Sequence, residues 1–349
     1  MKERQKEESF EFIRAISTIG IVLFHYSFNF IEYQISGSHI VFQKFSNGDW
    51  GGLFVAIFFM LSGAVLWYNY KEKIQIGKFY VKRWISIFPM FYIAWFIMYW
   101  INVRKLGTRL WGGPKKQILY TVFGMDGYLM HWGMNYYTLG EWFLGAIILL
   151  YVLFPVIRIL FKNRILRYLT TVVLVILFTA NLYKDWFLIS DGKNLITCIM
   201  DFWIGMFLVE YKEVLKNRYV ALTCALASVI LMFAPIPIEE IMCSAIVGGL
   251  WFIVFMYVAK FIMKPKCVTI VVHKISKYSF GIFLVHHVIL YAVMKNFEGG
   301  TMSFLVSVFL FIGIFTLTLA VGAVLSLEKY VEKALFQSIK NIKIWNKIS

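Results

Sequence analysis

Apolar stretches long enough to form membrane helices recur along the chain, near 12–31, 52–70, 84–101, 137–157, 168–183, 195–211, 219–234, 241–262, 278–294 and 302–326, separated by short polar connections. A helix needs about 20 mostly apolar residues to cross a bilayer, so the pattern predicts an all-α, polytopic integral membrane protein with about ten transmembrane helices. No composition break divides the chain, and residues 1–349 read as a single membrane domain, with spans over 12–326 and a basic, partly amphipathic tail over 327–349 suited to a membrane surface. The charged start, MKERQKEESFEF, has no small-residue cleavage site and its apolar run continues as a full span, which predicts an uncleaved first helix.

Composition agrees: 60% of the 349 residues are hydrophobic, 15% are charged, and mean hydropathy is +0.71. A net charge of +16 raises the question of nucleic acid, but the positive residues are scattered over the connections rather than gathered on one surface. With the N-terminus inside, the inner segments hold 25 Lys and Arg and the outer ones 9. That asymmetry places both termini in the cytoplasm and excludes nucleic acid as a partner. The exception is the outer connection 102–136, with Arg104, Lys105, Arg109, Lys115 and Lys116, which either translocates with its charges or contains a re-entrant piece. Cys198, Cys224, Cys243 and Cys267 lie in or beside apolar spans without paired spacing, so they read as packing residues, and no metal site is expected.

Polar residues inside the apolar stretches carry the candidate chemistry. In the first span, FIRAISTIGIVLFHYSFNF, Arg14 and His25 are eleven residues apart, three helical turns, on one face and about 16 Å apart along the axis. A histidine of near-neutral pKa suits general-base work on a hydroxyl, and an arginine suits a phosphate or pyrophosphate. Together they describe a tunnel with an anionic donor at the cytoplasmic end and an acceptor at the other. Gly51, Gly52, Ala56, Ser62 and Gly63 give the second span small side chains for close packing in the middle of the bundle. Lys78, Lys82 and Arg83 enter the third span, ahead of Pro89, as either an ordinary positive flank or a phosphate-binding mouth. Glu141 and Trp142 open the fourth span, where the carboxylate either reaches interfacial water or orients a polar acceptor; Asp201 is similarly placed in the sixth. His286 and His287 sit near the centre of the ninth span, and as neighbours about 100° apart at most one should face a given cavity.

These residues carry a resemblance to the membrane-bound acyltransferase 3 family of bacterial envelope O-acyltransferases. Arg14 and His25 match its R-x10-H spacing; GGLFVAIFFMLSG over 51–63, KRWISIFP over 82–89, WFLGAIILLYVLFP over 142–155 and SKYSFGIFLVHH over 276–287 resemble its other signatures, in order, across nearly the whole chain. The resemblance implies transfer of an acyl group, usually acetyl from acetyl-CoA, to a hydroxyl of a surface polysaccharide or lipid-linked glycan, by a multi-pass protein of the bacterial cytoplasmic membrane. No cofactor would be bound permanently; acyl-CoA would be a substrate. His25 would be catalytic, Arg14, Arg83 and Lys82 would hold the donor, and Glu141, Trp142 and His286 would line the tunnel or meet the acceptor. The chain departs from the pattern at Ser86, where the family carries a second arginine, and at Ile147, where many members carry an acid. Two other readings stand beside it: a transporter or flippase of lipid-linked sugars, and an enzyme of the other large membrane O-acyltransferase class, in which His286 or His287 would serve.

Overall fold

The computed structural model describes residues 7–184 and 186–327. They fold into thirteen helices: α1 (Glu8–Glu32), α2 (Trp50–Tyr70), α3 (Ile76–Leu106), α4 (Ile118–Val122), α5 (Asp126–Leu129), α6 (Glu141–Lys162), α7 (Arg164–Asn181), α8 (Leu195–Glu210), α9 (Lys212–Leu215), α10 (Arg218–Phe233), α11 (Glu240–Ile262), α12 (Lys266–Met294) and α13 (Phe304–Leu325). Two residue-pair ladders join connections: β1 (Ser36–Gly37) runs parallel to β4 (Thr301–Met302), and β2 (Lys44–Phe45) antiparallel to β3 (Gly48–Asp49). The chain is an all-α membrane protein. Among the described residues eight helices, not ten, are long and apolar enough to cross a membrane. The expected spans that fall short are α8 and α10, each 16 residues; they start where expected, capped by Asn194, which accepts from the backbone N–H of Ile196 and Thr197, and by Asn217, which accepts from that of Tyr219, and the apolar stretches at 195–211 and 219–234 are themselves short. The basic tail expected from 327 onward lies outside the described residues, apart from Leu327.

The small side chains of α2 make it the central helix, packed against α1, α8 and α11. Its contact with α8 is backbone to backbone: a Cβ at Gly63 would run into the Phe202 carbonyl, and one at Gly205 into that of Met60. Asp49 caps the start of α2, its Oδ1 accepting from Gly52 N at 2.6 Å. Helix α3 continues through Pro89 and reaches well beyond the expected span at both ends.

The connection 107–140 takes the re-entrant form. Its Gly124, at φ +65°, packs against Phe88 in the middle of α3 and against Leu144 and Ile148 of α6. Tyr92 of α3 donates to Val122 O at 2.6 Å, and Trp95 Nε1 to Tyr136 O at 3.0 Å. The chain therefore descends along α3 before α6 begins.

The end of the bundle where α1 starts gathers the basic connections. Arg158 donates to the carbonyls of Tyr70, Lys71 and Glu72 at 2.6, 2.9 and 3.1 Å, tying α6 to the end of α2. Trp67 Nε1 reaches Glu210 at 2.7 Å. Glu7, just ahead of α1, pairs with Lys216 at 2.6 Å and Lys212 at 3.0 Å. Burial works to raise the pKa of the Glu7 carboxyl, but hydrogen bonds from Lys216 and Lys212 outweigh it and hold it below its ordinary 4.5. Cys198, Cys224 and Cys243 are buried as packing residues, whereas Cys267 is exposed.

Two predictions follow from this packing. Gly205→Val forces α8 away from α2 and should cost at least the ~1–3 kcal/mol of an overpacked core. The same change at Gly313, whose Cβ would meet nothing within 4 Å, should be silent; thermal denaturation in detergent compares the two. Because the Glu7 pKa is lowered on folding, its contribution is complete above about pH 4.5 and lost as pH falls through the lowered value. Wild type should lose thermal stability over that acid window more steeply than Glu7→Gln.

Candidate active site

A cavity of about 910 Å³ runs through the bundle between α1, α2, α3, α6, α8, α11 and α12. Both polar residues of α1 line it, as eleven-residue spacing on a helix requires. At the basic end, Arg14 Nη1 donates to Ser276 Oγ of α12 at 3.3 Å and lies 3.8 Å from Glu11. Ser62, Ser86 and Ser279 line the same cavity, each hydroxyl donating to a carbonyl of its own helix.

Three turns along α1, His25 meets two more imidazoles. Ring centroids lie 4.1 Å away for His287 and 5.2 Å for His286, with 4.4 Å between those two. His286 is 1% exposed and lines the cavity. Its Nδ1 sits 2.8 Å from the Phe283 carbonyl, an acceptor, so Nδ1 donates its proton there. As expected for neighbours on a helix, His286 rather than His287 lines the cavity; His287 instead packs its ring on His25.

The ring nitrogens of the three histidines lie within 4.8 Å of one another. Nitrogens around tetrahedral zinc are separated by about 3.4 Å, given Zn–N bonds of 2.0–2.1 Å. A limit of 4.8 Å for one nitrogen per ring leaves room for that spacing, so the three histidines are close enough to hold a metal ion between them or to pass a proton from ring to ring.

The other expected site residues are distributed unevenly. Trp142 lines the cavity, with Lys193 Nζ 5.8 Å from its ring centre. Glu141 starts α6, but its side chain lies outside the described residues. Arg83 stands behind the wall: its guanidinium lies 5.4 Å from the ring of Tyr151, which does line the cavity, and 5.9 Å from Phe79. Lys82 is elsewhere, in a separate pocket of about 320 Å³ with Lys73, Lys78, Gln75, Tyr70 and Phe79, between the end of α2 and the start of α3. The structure thus brings Arg14, Ser86, Trp142, His25 and His286 to one cavity, sets Arg83 beside it and keeps Lys82 apart.

Residues outside the expected set also reach it. Asp201 of α8 is 4% exposed and lines the wall. Asp49, Asp191, Glu239 and Glu240 stand at the end away from Arg14, on or beside the connections that cover it. A carboxylate in an apolar span was a visible signal for Asp201; the other four read as ordinary loop and cap residues, and only tertiary folding brings them together.

Neither a curated protein nor a solved structure shows a significant match to the chain. The family model described as "Acyltransferase domain", acyltransferase 3, matches residues 7–326, from the residue that precedes α1 to the end of α13. The cavity, its α1 residues and every wall helix fall inside that match, and the chain belongs to the acyltransferase 3 family, whose chemistry is acyl transfer.

Proposed function

We propose that this protein moves a short acyl group, acetyl in the simplest case, from acyl-CoA at the cytoplasmic end of the cavity to a hydroxyl of a surface or lipid-linked carbohydrate at the outer end, in a bacterial cytoplasmic membrane. The observation that carries the reading is that Arg14 and His25, on one face of α1, line a single cavity at two depths.

The donor's pyrophosphate meets Arg14, whose guanidinium forms paired hydrogen bonds with phosphate oxygens. Ser276, already held by Arg14, and the neighbouring serines supply hydroxyl donors. The pantetheine arm then extends toward the histidines, carrying the thioester. His25 accepts the proton of the acceptor hydroxyl as that oxygen bonds to the thioester carbonyl carbon. When the tetrahedral intermediate collapses, the carbon–sulfur bond breaks, the ester remains on the sugar, and the departing thiolate takes the proton from His25. His286 and His287, adjacent on α12, pack together against one side of the His25 ring and hold it in place.

His25→Ala should reduce acyl transfer by at least about 100-fold, the lower end of a general base's contribution, at unchanged protein level in the membrane. Arg14→Gln should instead raise KM for acyl-CoA more than it lowers kcat. Normal activity of the His25 variant removes its catalytic role, and a dead His286→Ala beside an active His25→Ala would move the protein to the other membrane O-acyltransferase chemistry.

Ser86 lines the cavity, so Ser86→Arg adds a second guanidinium to its wall and should leave acyl-CoA affinity equal or improved. Calorimetry with a non-hydrolysable acyl-CoA analogue measures it; clearly weaker binding would show that Ser86 is not at the donor mouth. Absence of any CoA binding by wild type would favour a transporter.

A further inference from the structure

Three of the chain's six histidines meet at one place. His286 and His287 follow one another on α12, and no histidine, cysteine or acid lies three or four positions from either, so that helix holds no ligand pair of the usual spacing. The third ring comes from α1, where His25 stands 4.1 Å from His287 and 5.2 Å from His286, centroid to centroid. One ring nitrogen from each of the three lies within 4.8 Å of the other two. Around tetrahedral zinc that separation is about 3.4 Å, and the broad χ2 freedom of histidine lets the rings turn to close the difference.

The surroundings suit an ion. His286 donates its Nδ1 proton to the Phe283 carbonyl at 2.8 Å, the kind of outer contact that orients metal-ligating imidazoles, and Nε2 is then the nitrogen of that ring that a metal would take. His25 and His286 line the cavity, so a fourth position opens onto it for a water molecule, and the cavity is the route by which an ion arrives. A cation among neutral rings inside a bundle needs counter-charge nearby. At the end of the cavity away from Arg14, Asp49, Asp191, Glu239 and Glu240 outnumber Lys193, even with Glu240 paired to Lys44 at 3.0 Å, and their field draws cations inward. Imidazole ligands favour zinc and its transition-metal neighbours, whereas magnesium and calcium take oxygen.

We propose that His25, His286 and His287 form a binding site for one divalent transition-metal ion, zinc in the simplest case, and that filling the site stops acyl transfer. The effect on transfer rests on the reading of His25 as the base; the binding does not. A neutral imidazole has a single lone pair. A metal that takes it from His25 leaves nothing to accept the proton of the acceptor hydroxyl, so the attack on the thioester does not begin. The donor's phosphates keep their place at Arg14, three helical turns away on α1. The cluster is then a metal-sensitive stop built into the reaction path.

The test uses the full-length protein, purified in detergent through a tag free of histidine, dialysed against buffered zinc and titrated with cobalt, whose visible absorption reports tetrahedral nitrogen ligation. One ion per chain should bind. His25→Ala, His286→Ala and His287→Ala should each weaken binding at least about tenfold, and His131→Ala, at an exposed position in the connection 107–140, should not. His287→Cys keeps three ligands; it should bind cobalt and add a sulfur-to-cobalt charge-transfer band, a gained signal that a misfolded protein would not give. Acyl transfer by wild type should fall at least about 100-fold as zinc fills the site, the loss expected when a general base is removed, and return on chelation, with acyl-CoA binding unchanged. Absence of stoichiometric binding, binding that survives all three alanine changes, or transfer that is unchanged or faster with the site filled overturns the proposal. If wild type transfers no acyl group with or without metal, the acyl-transfer reading fails, while the cobalt spectra still decide the site.

Discussion

Where α2 and α8 touch backbone to backbone, at Gly63 and Gly205, no side chain separates the two helices. Lipid gives apolar helices no hydrophobic reason to prefer one another over acyl chains, so close packing of this kind must hold the bundle together. The contact fixes α2 as the axis of the fold, and the elements that wall the cavity are arranged about it. Helix α1 lies on another side of α2, where Gly20 admits the ring of Phe54 and Gly51 the ring of Phe24. Asp201 is one turn from Gly205 on α8, so the contact that seats the helix also sets where its carboxyl group enters the cavity.

The bilayer imposes a second condition, that polar groups at depth be satisfied within the protein or line a wet cavity. Structural polar groups meet it directly. Trp67 reaches Glu210, and Tyr26, fully buried, donates to Ser307 O at 2.8 Å. The site residues meet it by facing the cavity. Arg14 has Ser276 and Glu11 beside it, the histidines have one another, and Asp201 lines the cavity. That difference separates packing polarity from chemistry in this fold.

Much of this was legible in the sequence. The all-α membrane architecture followed from ten apolar stretches, and the shared face of Arg14 and His25 from helical geometry alone. The shortfall to eight membrane-length helices among the described residues was not, because the stretches at 195–211 and 219–234 are apolar enough to read as spans while the helices they form, α8 and α10, are only 16 residues long. Lys82 grouped naturally with Arg83 and Arg14 by charge, yet on α3 it joins Lys78, one turn away, in a pocket facing the end of α2. The acids at the acceptor end were beyond reach for a different reason. Asp49 is a helix cap, Asp191 belongs to a connection, and Glu239 and Glu240 open α11; their meeting is a property of the fold and of no single segment.

A divided cavity also suits the direction of the reaction. For the acyl-CoA donor proposed above, a polyanion, a guanidinium at one end with carboxylates at the other would favour one orientation, phosphates at Arg14 and thioester toward His25. The same field would oppose passage of the whole cofactor through the cavity, since its phosphates would have to approach Asp49, Asp191, Glu239 and Glu240. An acyl group carries no charge and crosses that boundary without electrostatic cost. A protein built to carry the entire donor across would need positive charge along the full path, whereas a protein built to hand over only its acyl group needs it at the entrance alone. The placement of Arg14 at one end of the cavity and of these acids at the other matches the second requirement.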